Sequence, residues 1–419
     1  MTVKLFVYIA ILVVSAESAI AEYSLSILHT NDFHARFEPI TKYDGSCETE
    51  DNTAGKCFGG SARLVTAVAQ ARQRAANSIL VDGGDQFQGT LFYTYYKGKL
   101  AAEMMNALGY DAMTVGNHEF DDGPQVLSGF IDAVKFPVLM SNADIGGEPL
   151  LSDKIAKSAL IARGGETLGL IGLTPLDTGD LASPGDNIRF TDPVAAVQRE
   201  VDQLTQRGVN KIIVLSHSGY GVDQRVAAGT TGVDVIVGGH SNTFLSNVSD
   251  RAEGPYPTMT GNTAIVSAYA YGKFLGELNV TFNDQGEILG ANGDALIMDA
   301  NVPEDVATVQ RIAKAAEPLQ SIHEKIVAQA ASEIVGARAE CRARECTMGV
   351  LITDAMLDRV KDQGVHIAIQ NSGGIRANLD AGKVTMGEVL TVLPFQNTLS
   401  TFEVLVLPCF PHWKMVSAK

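Results

Sequence analysis

An α/β fold is predicted for this chain, and three observations predict it. Short runs of Val, Ile and Leu alternate with helix-like stretches from position 23 to about 299. The runs are continuously apolar, as in strands buried on both faces. Five of them end in an Asp, Asn or His: Leu25-Ser26-Ile27-Leu28 before Asp32-Phe33-His34, Ile79-Leu80-Val81 before Gly84-Asp85, Ala112-Met113-Thr114-Val115 before Gly116-Asn117-His118-Glu119, Ile212-Ile213-Val214-Leu215 before His217, and Val235-Ile236-Val237 before Gly238-Gly239-His240. Hard ligands at the carboxyl ends of several buried strands converge on one spot, which is the layout of a hydrolytic metal site.

Size and charge bound the answer. The 419 residues suffice for two domains with their own cores, and 46% hydrophobic against 19% charged residues fits a globular protein. A net charge of −16 argues against a nucleic-acid polymer as partner. It also repels anionic substrates, so such a substrate needs a local cation, which a bound metal pair could supply.

Along the chain, residues 1–21 read as a secretory signal: Lys4, an apolar stretch over 5–14 too short to span a bilayer, and the small-x-small site Ala19-Ile20-Ala21. A secreted, extracellular product follows, with no transmembrane segment. The catalytic region is expected over 22–302, with helices near 60–76, 100–108 and 193–207 and antiparallel edge strands around 274–282. A linking helix is expected over about 303–328 within a 303–330 connector, with Pro303 in its first turn and Glu304 and Asp305 at its positive end. A second unit spans 331–404, with a helix over 348–360, and 405–419 is a divergent tail. In an oxidising compartment Cys47 with Cys57, and Cys341 with Cys346, read as two local disulfides, leaving Cys409 over. Asn247-Val248-Ser249 and Asn279-Val280-Thr281 are glycosylation sequons.

The ligand types suggest the chemistry. Asp32 and His34 share one turn; Asp85 follows two glycines and can bridge two cations; Asn117 and Asn242 offer amide oxygen; His217 and His240 offer imidazole nitrogen. This mixture suits Zn²⁺, Mn²⁺ or Fe rather than Ca²⁺. Two divalent ions about 3.5–4 Å apart can clamp a phosphate and bring the pKa of a bound water toward about 7. Asp121 would orient His118, which would stabilise or protonate the leaving oxygen.

Together these residues resemble the metallophosphoesterase superfamily and, more narrowly, the 5′-nucleotidase family. The stretches that carry the likeness are His29-Thr30-Asn31-Asp32-Phe33-His34, Gly84-Asp85-Gln86-Phe87-Gln88-Gly89-Thr90, Gly116-Asn117-His118-Glu119-Phe120-Asp121, Gly238-Gly239-His240-Ser241-Asn242, Asn371-Ser372-Gly373-Gly374-Ile375-Arg376 and Leu393-Pro394-Phe395. The resemblance implies a four-layer αββα metallophosphoesterase domain, a linking helix and an α/β C-terminal nucleotide-binding domain. It implies one ion on Asp32, His34, Asp85 and Asn242, and another on Asp85, Asn117, His217 and His240, with zinc first in line. His118 and Asp121 would be the catalytic dyad. Arg342, Asn371 and Arg376 would contact the nucleotide, and Phe395 would stack on its base; the alternatives are a solvated loop charge at Arg342 and a core side chain at Phe395. Substrate gripped on one domain and cleaved on the other would require a hinge rotation.

The likeness fades after about position 404, so the second domain is expected to be shortened, without the second base-stacking aromatic and the ribose-binding Asp of the family. Val350 stands where relatives often carry Asn or Asp. The expected activity is hydrolysis of extracellular nucleotides, AMP to adenosine and phosphate. The rivals are an apyrase acting on ATP and ADP, a nucleotide-binding protein without turnover, and a general metallophosphatase.

Overall fold

The computed structural model describes residues 22–402 except 43, 46, 376, 394–396 and 398. The signal segment, Arg376, Phe395 and the 405–419 tail lie outside the described residues.

Two six-stranded sheets face each other. The first runs in the order Ile288–Ile297, Phe274–Phe282, Tyr23–Thr30, Ser78–Asp82, Ala112–Thr114, Val138–Leu139. Its last four strands are parallel, and Phe274–Phe282 joins Tyr23–Thr30 antiparallel, with Ile27 opposite Leu278. The second runs Thr258–Thr260, Thr263–Val266, Val235–Gly238, Ile212–Ser216, Glu166–Leu173, Ser158–Arg163, parallel in its middle and antiparallel at both edges. Because side chains alternate across a strand, each strand feeds two cores. Ile27, Ile79 and Val81 meet Leu170, Leu215 and Val237 between the sheets. Leu28, Leu80 and Met113 pack instead with residues of helices Ser61–Arg74, Gly98–Leu108 and Gly123–Ala133. On the far side Ile171, Val214 and Ile236 pack with Val197, Val201 and Leu204 of Pro193–Gln206. The result is a layered αββα arrangement in which both inner layers present strand ends to the same edge.

Expected helices form within a few residues of their sequence bounds. The linking helix differs: it runs Val306–His323, capped by Asp305, whose side chain accepts from Thr308 N at 2.8 Å. It stops five residues early because Ile326–Ala330 pairs as a strand with Gly382–Thr385. Pro303 stands outside it, and Pro318 lies inside. Ile312 and Leu319 belong to the large helix–sheet core, so the helix is seated on the N-terminal layers. A separate small core gathers Ala330, Met348, Ile352, Ile375, Leu379, Val384 and Val392 around helix Thr347–Arg359. Cys47 bonds Cys57 and Cys341 bonds Cys346. Among the described residues no helix is long and apolar enough to cross a membrane.

Candidate metal centre and facing cleft

The loops that leave the strand ends are bent in ways that side chains resist. Asp32, His34, Asp85, His240 and Asn242 all adopt positive φ, between 50° and 73°. Such non-glycine conformations cost about 1–3 kcal/mol each and persist where the surroundings enforce them. Gly84 makes one of the turns possible: its φ is +92°, and a Cβ there would stand 2.8 Å from His217 Nδ1. Gly116 is needed for closeness, since a Cβ would strike Asp85 Oδ1.

These bends bring the predicted residues together. One ligand atom each from Asp32, His34 and Asp85 lies within 4.8 Å of the others. His217 Nε2 stands 2.9 Å from Asp85 Oδ2 and 3.8 Å from Asp32 Oδ1. His240 Nδ1 faces Asn117 Oδ1 at 3.0 Å. His240 N also donates to both oxygens of Asp32, at 3.1 and 2.9 Å.

The donor set fits a divalent cation on several counts. His217 Nδ1 lies 2.6 Å from the carbonyl oxygen of Gly83, which can only accept, so Nδ1 carries a proton and Nε2 is the atom turned toward the two carboxylates. That Nε2 is fully buried with Asp85 Oδ2 2.9 Å away, and Asn242 Oδ1 is a buried acceptor with no donor. His34 Nδ1 donates to the Phe87 carbonyl at 2.9 Å and frees its own Nε2 toward Asp85. Burial would depress His217, but Asp85 and Asp32 outweigh it and carry the imidazole up to about 10. Burial also opposes charge on Asp85, yet His217 holds it well below the usual carboxylate range. Burial lifts Asp32 to about 6 and drops His34 to about 4. A field strong enough to protonate His217 is one that favours a dication in the proton's place.

His118 stands beside the cluster. Its Nδ1 donates to Asp121 Oδ2 at 2.7 Å, and its Nε2 lies 4.0 Å from Asp85 Oδ2. Burial works against its charge, but the hydrogen bond to Asp121 and the field of Asp85 hold it up to about 9. It faces the cluster through Nε2.

Sequence reading missed the group that organises this centre. The buried carboxylate of Glu119 accepts from Gly116 N at 2.7 Å, Gln86 N at 2.8 Å, Asp85 N at 3.0 Å and Phe87 N at 3.2 Å. It ties the Asp85 loop to the Asn117 loop. Its place in Gly116-Asn117-His118-Glu119 was the available signal. Tyr271, whose ring centroid lies 5.7 Å from that of His34, gave none.

A cleft of about 580 Å³ opens over the cluster, with His34, His118 and Asp121 on one wall and Asn371, Gly373 and Gly374 on the other. Asn371 is exposed and its side chain accepts from Gly374 N at 2.8 Å. Arg342 is exposed, and its Nη2 would lie 3.6 Å from a Cβ at Gly373. The second unit thus turns its Asn371 loop toward His118.

Residues 25–244 match the family model of calcineurin-like phosphoesterases, and residues 326–405 that of the 5′-nucleotidase C-terminal domain. The chain is 40% identical over 406 residues to a 5′-nucleotidase of Diplobatis ommata, covering 92% of this chain and 69% of that one. It is 40% identical over 409 residues to the snake venom 5′-nucleotidase of Naja atra, covering 91% and 76%. Among solved structures, a 5′-nucleotidase precursor from Thermus thermophilus superposes with a TM-score of 0.75 at 40% identity, covering 90% of this chain and 75% of that chain.

Proposed function

From the premise that this chain belongs to the 5′-nucleotidase family of metallophosphoesterases, and is a nucleotide phosphohydrolase that works with divalent metal ions, we propose that it cleaves nucleoside 5′-monophosphates outside the cell at the centre described above. Asp32, His34, Asp85 and Asn242 would hold one ion, and Asp85, Asn117, His217 and His240 the other, with zinc as the first candidate. The observation that carries this reading is Asn242 Oδ1, a buried acceptor without a donor, together with His217 Nε2 turned to Asp85 and Asp32, beside the His118–Asp121 hydrogen bond.

Bound divalent ions would supply charge neutralisation at the phosphoryl oxygens and a water of lowered pKa. The chain's own groups do the rest. Asp121 fixes the tautomer of His118, so that Nε2–H points into the cleft and can protonate the departing oxygen. Glu119 holds the two ligand loops at fixed spacing, so that no reorganisation is needed as charge develops. Asn371 and Arg342, with Arg376 and Phe395 beyond the described residues, would grip the nucleoside side. Secretion is supported by the two disulfides, which persist in oxidising compartments, and by likeness to venom enzymes.

The test is phosphate release from AMP, ADP and ATP by the purified chain, chelated and then reloaded with zinc or manganese, with bound metal counted by elemental analysis. Metal-dependent release, fastest from AMP, is expected. Faster release from ADP and ATP would make the chain an apyrase; metal-loaded protein inert toward all three would overturn the reading.

A further inference from the structure

Arg36 lies two residues past His34 and is only 6% exposed. Its Nε is buried without a hydrogen-bond partner, and among the described residues no carboxylate pairs with its guanidinium. The carboxylate whose field it feels, Asp44, is already engaged by Lys273 and by the Tyr269 hydroxyl, each at 2.7 Å. The guanidinium carbon stands 5.4 Å from the centre of the Tyr271 ring, the same ring that flanks His34. A buried cation without an anionic partner is costly, and a cation–π contact returns only part of that cost.

Arg36 also lines the cleft, where it is the one permanently charged cation among the described lining residues. On its other side it borders a largely apolar cavity against the linking helix. The carboxylates that line this cavity, Glu38 and Glu317, form no ion pair with it. An arginine held charged, unpaired and almost dry beside a candidate phosphate-cleaving centre matches an anion that arrives from outside the chain. The planar fork suits two oxygens of one phosphoryl group. The net charge of −16 makes such a local cation more valuable.

We propose that Arg36 is a phosphate-binding residue of the cleft, taking oxygens of the substrate phosphoryl group and of the inorganic phosphate released from it. The assignment rests on the nucleotide phosphohydrolase reading for its substrate, but the anion site itself does not need turnover.

The test compares the full chain with Arg36→Gln and Arg36→Lys. For Arg36→Gln, a rise of about tenfold or more in the KM for AMP and in the inhibition constant of inorganic phosphate is expected. Arg36→Lys keeps the charge and loses the fork, so both constants should rise about threefold. Titration calorimetry of the chelated chain with inorganic phosphate gives a readout independent of turnover: wild type should bind and Arg36→Gln should not. Unchanged KM and phosphate inhibition in Arg36→Gln would overturn the proposal. Should that variant fail to fold, wild-type constants in Arg36→Lys would overturn it equally. An inactive wild type that still binds phosphate through Arg36 would sink the substrate reading and leave the anion site standing.

Discussion

Four backbone amides of the two ligand loops converge on the Glu119 carboxylate. Burial and the nearby Asp85 raise it to about 7, so its charge is itself sustained by those amides. Replacing it with Gln turns an acceptor oxygen into an NH₂ that faces N–H donors. Glu119→Gln should cost about 1–3 kcal/mol and weaken metal binding roughly 10–100-fold; thermal melts and metal titration of the purified variant check both, and a variant with wild-type metal affinity would remove Glu119 from the account. His118 offers a second residue-level prediction. Its pKa is raised from 6.5 to about 9, so the stabilisation from its charged pair with Asp121 is complete below about pH 6.5 and lost as the pH rises through about 9. In the metal-free chain, Asp121→Asn should move the His118 midpoint down by about one unit or more, as read by NMR of the imidazole protons. An unmoved midpoint would mean that Asp121 does not set the proton. The difference in legibility between these residues is physical. Asp32, Asp85, Asn117, His217 and His240 stand out because ligand chemistry demands polar side chains just past apolar runs. Glu119 bonds only to backbone, and Arg36 and Tyr271 to nothing a motif encodes.

At the scale of elements, the strands and most helices were legible because burial writes periodicity into them; Thr347–Arg359 and Pro193–Gln206 lie where apolar spacing puts them. The linking helix was overextended for a reason equally physical. Ile326-Val327-Ala328 is an apolar run that a helix could continue, and its strand partner lies more than fifty residues on, at Gly382–Thr385. Tertiary pairing overrode local pattern. The turns at the strand ends carry a prediction of their own. Gly84 and Gly165 have similar φ, +92° and +88°, but a Cβ at Gly84 meets His217 and Gly116 whereas at Gly165 it meets nothing within 4 Å. Gly165→Ala should therefore show only the cost of the left-handed backbone, about 1 kcal/mol, while Gly84→Ala should lose more stability and its metal. Melts and elemental analysis of the pair separate the two effects. Equal losses would mean that the crowding at Gly84 is relieved by movement and that the loop geometry is not fixed by contact.

For the whole molecule, the decisive asymmetry is that all seven proposed metal ligands come from the N-terminal layers, whereas the core around Met348 and Ile352 supplies none. The cluster sits where both sheets end, so a bound cation would join loops from the first sheet, at Asp32, Asp85 and Asn117, to loops from the second, at His217 and His240. Without it, Asp32 and Asp85 face each other in a chain already at −16, and the positive-φ loops lose the interaction that offsets their strain. A cation at a thousand times its dissociation constant adds about 4 kcal/mol to the state that binds it. Chelation should therefore lower the melting temperature and speed amide exchange in the loops after Tyr23–Thr30, Ser78–Asp82 and Val235–Gly238. Exchange in Thr347–Arg359 should change little, since that helix reaches the centre only across the cleft. Hydrogen exchange followed by mass spectrometry, with and without chelator and after zinc is restored, reads both regions in one experiment. Equal deprotection of the two would show that the units unfold together, and the linking helix, seated on the N-terminal core through Ile312 and Leu319, would then be a rigid strut rather than the place where the domains turn.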